Sequence, residues 1–230
     1  MNLHLLHTGP LGVNTYILPL FENKVLIVDP ADSSFSGDEG SVLAFLQKNK
    51  LEAQAILLTH GHFDHVAGLP ALKKAFPLVP IAIHSQDKDF IGENSAKMQG
   101  ISLGQMGFLD FLPYVSQLPS PDFFLEDSLT LDKVFQNHSF SEEIKKALSE
   151  WEVIHSPGHT RGSCCFYNKK ELTLISGDTM FFHSWGRTDL IGGNEEEIHK
   201  SLLKILDYCD KNTKVYPGHD NYGFTLGQNF

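Results

Sequence analysis

The stretch Thr59-His60-Gly61-His62-Phe63-Asp64-His65 directly follows the apolar run of residues 55–58, and no other feature of the sequence narrows the possible folds so far. The run reads as a buried strand, so four potential metal ligands, His60, His62, Asp64 and His65, stand within six residues at its end. Helices fan successive side chains around an axis and flat strands alternate them across a sheet, whereas a tight turn can aim them at one point. Imidazole and carboxylate donors together suit Zn, Fe or Mn, and the close spacing admits two ions rather than one. The motif therefore demands a fold in which a core strand ends at a crevice.

The surrounding pattern is that of an α/β chain. Residues 15–18, 24–28 and 55–58 read as strands, and 40–50 as a helix with Val42, Leu43 and Leu46 on one face and Asp38 and Glu39 near its start. A second helix is predicted over 66–75 and a strand over 81–83, an alternation that implies stacked helix and sheet layers. The order breaks between about 86 and 150, where Gly, Pro and Phe crowd together, and this stretch reads as an insertion within one domain spanning 1–230. Its Phe90, Phe108, Phe111, Phe123 and Phe124 exceed what a solvated loop needs, which predicts packing on the body, on a second subunit, or over a pocket as a wall or lid. Strands resume at 151–155, 164–167 and 172–175, followed by an amphipathic helix over 195–208 and a last short strand at 214–216.

Three further residues repeat the setting of the first motif. His159, Asp178 and His219 lie in Pro157-Gly158-His159-Thr160, Ser176-Gly177-Asp178-Thr179 and Pro217-Gly218-His219-Asp220, each beside glycine at the end of an apolar run. A residue just past a strand, freed by glycine to turn sharply, points into the crevice where strands end. Asp29, at the end of the strand 24–28, reads as a brace for the first loop rather than a ligand.

Charge and cysteine usage restrict the partners. Lys and Arg number 18 against 28 Asp and Glu, a net charge of −10, and no basic patch interrupts it, so a nucleic-acid partner is not expected. Cys164, Cys165 and Cys209 have no zinc-site spacing and fit a reducing compartment. Met1-Asn2-Leu3-His4 lacks a basic leader and no apolar run is long enough to span a bilayer, so the expectation is a cytoplasmic protein without a membrane partner.

Asp29, the 60–65 motif, residues 157–163 and 176–181, Gly186-Arg187-Thr188-Asp189-Leu190 and residues 215–220 together make nearly the whole chain resemble the metallo-β-lactamase-fold hydrolases, and within them the glyoxalase II-like (hydroxyacylglutathione hydrolase-like) branch. The resemblance implies an αββα sandwich with the metals at one edge between two mixed β-sheets. It also implies two divalent metal ions, with Zn the first expectation and Fe or Mn the others. One ion would be held by His60, His62 and His159 and the second by Asp64, His65 and His219, with Asp178 bridging them. A water shared by two such ions supplies hydroxide near neutral pH, with Asp64 as the catalytic residue that orients it, and thioester hydrolysis fits because a thiolate leaves without strong acid help. The implied partner is a small-molecule acyl thioester.

Two departures bear on the substrate. Glyoxalase II carries a C-terminal helical domain that helps to bind glutathione, whereas residues 221–230 are all that follow His219-Asp220 here. It also has a Lys/Tyr-bearing loop after the bridging Asp, where this chain reads Phe181-Phe182-His183-Ser184-Trp185-Gly186-Arg187, so the glutathione contacts do not carry over. Gly186-Arg187-Thr188-Asp189, His219-Asp220 and Gly223-Phe224-Thr225 also resemble the persulfide dioxygenases, which makes a mononuclear iron enzyme the alternative. A non-catalytic metal-binding scaffold is the reading from another class, and the oligomeric state stays open.

Overall fold

Eleven strands among the described residues, 3–229 in the computed structural model, form two mixed sheets. The leader reading thus falls partly on Met1 and Asn2, outside the described residues. The first sheet runs in sequence order: β1 (His4–Thr8), β2 (Val13–Phe21), β3 (Lys24–Val28), β4 (Glu52–Leu57), β5 (Ile81–His84) and β6 (Phe123–Leu125). Its first three strands form an antiparallel meander and the pairs from β3 to β6 are parallel. The second sheet comprises β7 (Trp151–His155), β8 (Cys164–Asn168), β9 (Thr173–Gly177), β10 (Lys214–Pro217) and β11 (Phe224–Thr225), with only the β9/β10 pair parallel. Each sheet is therefore folded from one unbroken length of chain.

Helices α1 (Ser41–Lys48), α2 (Phe63–Val66), α3 (Leu69–Ala75), α4 (Ser95–Met106), α5 (Leu112–Val115), α6 (Leu131–Val134), α7 (Glu142–Leu148), α8 (Glu195–Tyr208) and α9 (Leu226–Asn229) complete the fold. Strand alternation sorts the core into layers. Leu18, Leu26 and Leu57 of the first sheet face Val153, Cys164 and Phe166 of the second, while Ile17, Ile27 and Ile56 turn outward onto Val42, Leu46 and Leu72 of α1 and α3. On the far side Ile154, Cys165 and Leu174 pack against Leu202 and Ile205 of α8. The result is the αββα sandwich, and it sends the adjacent Cys164 and Cys165 to opposite faces, both buried. No helix among the described residues is long and apolar enough to cross a membrane.

The structure departs from the sequence reading at β1, over 66–75 and over 86–150, and it adds β11 and α9 past the last predicted strand. β1 went unread because His4 and His7 interrupt its apolar alternation at a sheet edge. The helix expected over 66–75 is two helices, and Gly68 between them donates its N–H to the Pro30 carbonyl at 2.9 Å. The stretch 86–150 holds four of the nine α-helices found among the described residues and supplies β6 to the first sheet. Helix α4 escaped the periodicity argument because the side it buries is mostly polar, with Ser95, Gln99 and Ser102 beside Leu103. Of the phenylalanines there, Phe111 is fully buried against Phe63, their ring centroids 5.1 Å apart, while Phe124 remains 45% exposed.

Candidate metal centre

The seven predicted donors converge at the strand ends. His60, His62, Asp64 and His65 leave the end of β4, His159 follows β7, Asp178 is the first residue past β9, and His219 stands two residues past β10. His62 Nδ1 lies 2.8 Å from His159 Nε2, which lies 3.2 Å from His60 Nε2. His65 Nε2 is 3.2 Å from His219 Nε2, and Asp64 Oδ2 is 3.3 Å from the same His219 atom. Asp178 touches both groups, with Oδ1 at 3.4 Å from His65 Nε2 and Oδ2 at 3.5 Å from His159 Nε2.

Hydrogen bonds behind the rings decide which nitrogens face inward. Asp29 accepts the Thr59 amide at 2.8 Å, the Thr59 hydroxyl at 2.6 Å and His65 Nδ1 at 2.9 Å. The Thr59 hydroxyl in turn accepts from His60 Nδ1 at 3.1 Å, and the Arg187 carbonyl accepts from His159 Nδ1 at 2.7 Å. His60 and His159 thereby keep their proton on Nδ1 and present a bare Nε2 lone pair to the cluster, while Asp29 fixes the His65 ring so that its Nε2 faces the same way, where a cation would take the place of a proton. Asp29 is the brace anticipated from the sequence: it touches His65 but spends its oxygens on Thr59 and the ring N–H.

Lone pairs aimed at one another across such distances repel unless a cation lies among them. Nitrogen–metal bonds of 2.0–2.1 Å in a tetrahedral site separate donors by about 3.3 Å, close to the spacings found here. Charge leads to the same conclusion. Burial, reinforced by neighbouring imidazoles, pushes His60 and His62 well below the ordinary histidine range. Burial would lower His65 too, but the Asp178, Asp64 and Asp29 carboxylates outweigh it and hold that ring up to about 10. The buried Asp178 Oδ1 has no hydrogen-bond partner. Three carboxylates facing imidazoles, those of Asp29 and Asp64 buried and that of Asp178 nearly so, are a concentration of negative charge and donor atoms that divalent ions satisfy, so the residues fit metal.

Two glycines let the loops close in. A side chain at Gly218 would press on Asp178 Oδ1 and His65 Cε1, and one at Gly186 on the Asp178 carbonyl and His159 Nδ1. Sequence reasoning missed Asp87. This buried carboxylate accepts the Gly61 amide at 3.0 Å, the Thr160 hydroxyl at 2.7 Å and the Gly162 amide at 2.8 Å, tying the 60–65 loop to the loop bearing His159. Its position three residues past a strand was the available signal. His84 and His155 stack on each other with ring centroids 4.0 Å apart, and His183 bonds Asn229.

Residues 8–219 match the profile of the Metallo-beta-lactamase superfamily. The chain belongs to that superfamily. Among metallo-beta-lactamase superfamily relatives, the probable metallo-hydrolase YqgX of Bacillus subtilis is 29% identical over 211 residues, 92% of this chain and 86% of that protein. A hydroxyacylglutathione hydrolase of Francisella tularensis subsp. novicida is 25% identical over 86% of this chain and 60% of its own length. Among solved structures, BLEG-1 B3 metallo-beta-lactamase superposes with a TM-score of 0.78 at 28% identity, covering 99% of this chain and 95% of that one. TTHA1623 in a di-iron-bound form gives 0.76 at 29%, covering 98% and 96%. The seven donors of this chain thus occupy the loops of a fold whose relatives include a protein crystallised with two irons.

Proposed function

We propose that this chain is a metal-dependent hydrolase of acyl thioesters, glyoxalase II-like in reaction type, with two divalent ions at the donors described. The observation that carries the reading is the pair of donor trios, His60, His62, His159 and Asp64, His65, His219, meeting at Asp178 beneath an open cleft. The hydroxyacylglutathione hydrolase relative supports the reaction class. Bound there, divalent ions acidify water and polarise an acyl oxygen.

The chain's own residues do the rest. Burial works against ionisation of Asp64, but the charge of His65 and the bond to His219 overcome it and keep the carboxyl well below its usual range. Ionised at neutral pH, Asp64 accepts a hydrogen bond from the attacking water and fixes its direction. Arg187 holds the His159 ring through its carbonyl, and Asp29 holds His65. The cysteines take no part as nucleophiles, since burial raises the thiols of Cys164 and Cys165, the latter to about 11. In the reaction the water oxygen bonds to the acyl carbon, the carbon–sulfur bond breaks, and carboxylate, thiol and one proton are the products.

The test is metal analysis of freshly purified protein paired with thiol release from a panel of acyl thioesters, including S-lactoylglutathione. Two metal equivalents and thioester turnover that Asp64→Asn abolishes support the reading. One equivalent of iron with oxygen-dependent sulfite production and no thioester hydrolysis would replace it with the persulfide dioxygenase-like alternative. Metal without any turnover would leave a scaffold.

A further inference from the structure

The cleft over the donors encloses about 260 Å³, and its walls differ in character from its floor. The floor is formed by donors such as His62, Asp64, Asp178 and His219. The walls are Leu11 from the β1/β2 turn, Phe63, Met106 at the end of α4, and Phe181 and Leu190 from the loop after Asp178. Helix α4 is joined to that loop, because Gln105 Oε1 accepts the Ile191 amide at 2.8 Å. Among the described residues lining the cleft, Arg187 is the one Lys or Arg, and its fork is engaged: Nε donates to Asp189 Oδ1 at 2.7 Å and an Nη to Oδ2 at 2.8 Å. Asp220 adds a carboxylate at the lining.

We infer that this site takes thioesters with an uncharged, apolar acyl group and discriminates against acyl groups and carriers that present a carboxylate near the scissile bond. The inference rests on the thioesterase reading for the reaction and on the cleft for the substrate class. With the carbonyl at the histidine cluster, the rest of the acyl group lies against Leu11, Met106, Phe181 and Leu190 and leaves water. A carboxylate in the same place loses hydration, meets no unpaired guanidinium, and lies near Asp220. The fork of Arg187 could grip a carboxylate bidentately, but Asp189 already fills that role.

The experiment uses the metal-loaded protein and N-acetylcysteamine thioesters, whose carrier is uncharged. From acetyl to butyryl, kcat/KM is expected to rise roughly 4-fold per methylene, the factor that about 0.8 kcal/mol of burial gives. Butyryl and succinyl differ mainly in exchanging a terminal methyl for a carboxylate, and butyryl is expected to lead by about 10-fold or more. Asp189→Asn frees the Arg187 fork at an exposed position and should raise succinyl turnover about 5-fold while moving butyryl less than about 2-fold. A flat chain-length series, succinyl equal to butyryl, or no succinyl gain in Asp189→Asn overturns the inference and leaves thioester hydrolysis standing. Should no thioester turn over, the same metal-loaded protein is titrated calorimetrically with butanethiol and 3-mercaptopropionate. Tighter butanethiol binding upholds the apolar pocket while the reaction reading falls, and equal or tighter 3-mercaptopropionate binding refutes both.

Discussion

Replacing Asp87 with alanine tests whether the two ligand loops are held by this one carboxylate. The variant orphans two buried amides, those of Gly61 and Gly162, and one hydroxyl, that of Thr160, which Ser163 Oγ at 2.8 Å already partners. Counting only the amides, at about 1–3 kcal/mol for each donor left unsatisfied, the loss is about 4 kcal/mol. For a chain of this length about 1 kcal/mol moves the midpoint by roughly 2–4 °C, so Tm should fall by about 8–15 °C. Asp87→Asn keeps one acceptor but sets an amide N–H against a donor, and about half the loss is expected. Urea unfolding of chelator-treated protein separates this from metal loss, and an unchanged m-value would show that the compactness of the end states is preserved. Because Gly61 stands between His60 and His62, metal affinity should drop about 10–100-fold as well. Asp87→Ala protein within about 1 kcal/mol of the parent, with the parent's metal affinity, would refute the clamp.

Other expectations follow from the same geometry. Asp178→Ala should cost at least about 100-fold in kcat while Cys164→Ser stays within about 3-fold, because only the first removes a carboxylate that touches both donor trios; steady-state thiol release decides it. Chelation should lower Tm by about 5–10 °C per site relative to protein in free metal at 100 times its Kd, since binding there adds about 2.7 kcal/mol; calorimetry with and without chelator reads it. Burial and the neighbouring His155 lower His84 to about 4, so between pH 7.5 and 5 the unfolded chain takes up a proton that the folded chain refuses, and stability falls as pH falls. The effect is about 1 kcal/mol after discounting for solvent screening, and His84→Asn, which retains an acceptor for the Gln86 amide, should flatten the pH dependence of Tm by that amount.

The candidate site was legible because its donors follow strands, and strand ends declare themselves by a change from apolar to polar residues that needs no tertiary knowledge. Residues 55–58 and the histidines after them are one such change, and His159, Asp178 and His219 repeat it. The two-layer core was not legible in the strands themselves, since 16–18 and 26–28 are apolar on both faces and bury one face in each layer; the sandwich was expected only through the family resemblance. Helix α4 was not legible either, because the polar residues on its buried side satisfy themselves through particular partners. Gln99, for example, donates to the Gly61 and Phe90 carbonyls, each at 2.8 Å. Such bonds depend on where distant loops come to rest, which periodicity does not encode. Asp87 was hidden likewise: its role exists only once the loops at 61 and 160–162 stand on either side of it.

The division of the two sheets between two lengths of chain would give a metal bound at these donors a mechanical meaning. Each trio takes two donors from the loop after β4, in the first length, and one from a loop of the second, His159 in one case and His219 in the other. An ion held this way would be a reversible cross-link between two separately wound lengths of chain, acting at an edge where, among the described residues, no strand of one sheet pairs with a strand of the other. Its loss would loosen the seam between the sheets before it loosened either sheet, so amides of the 60–65 and 157–163 loops should exchange with solvent long before those of β3 or β8. Metal supply would then set how long the two halves stay registered as well as whether the site can act.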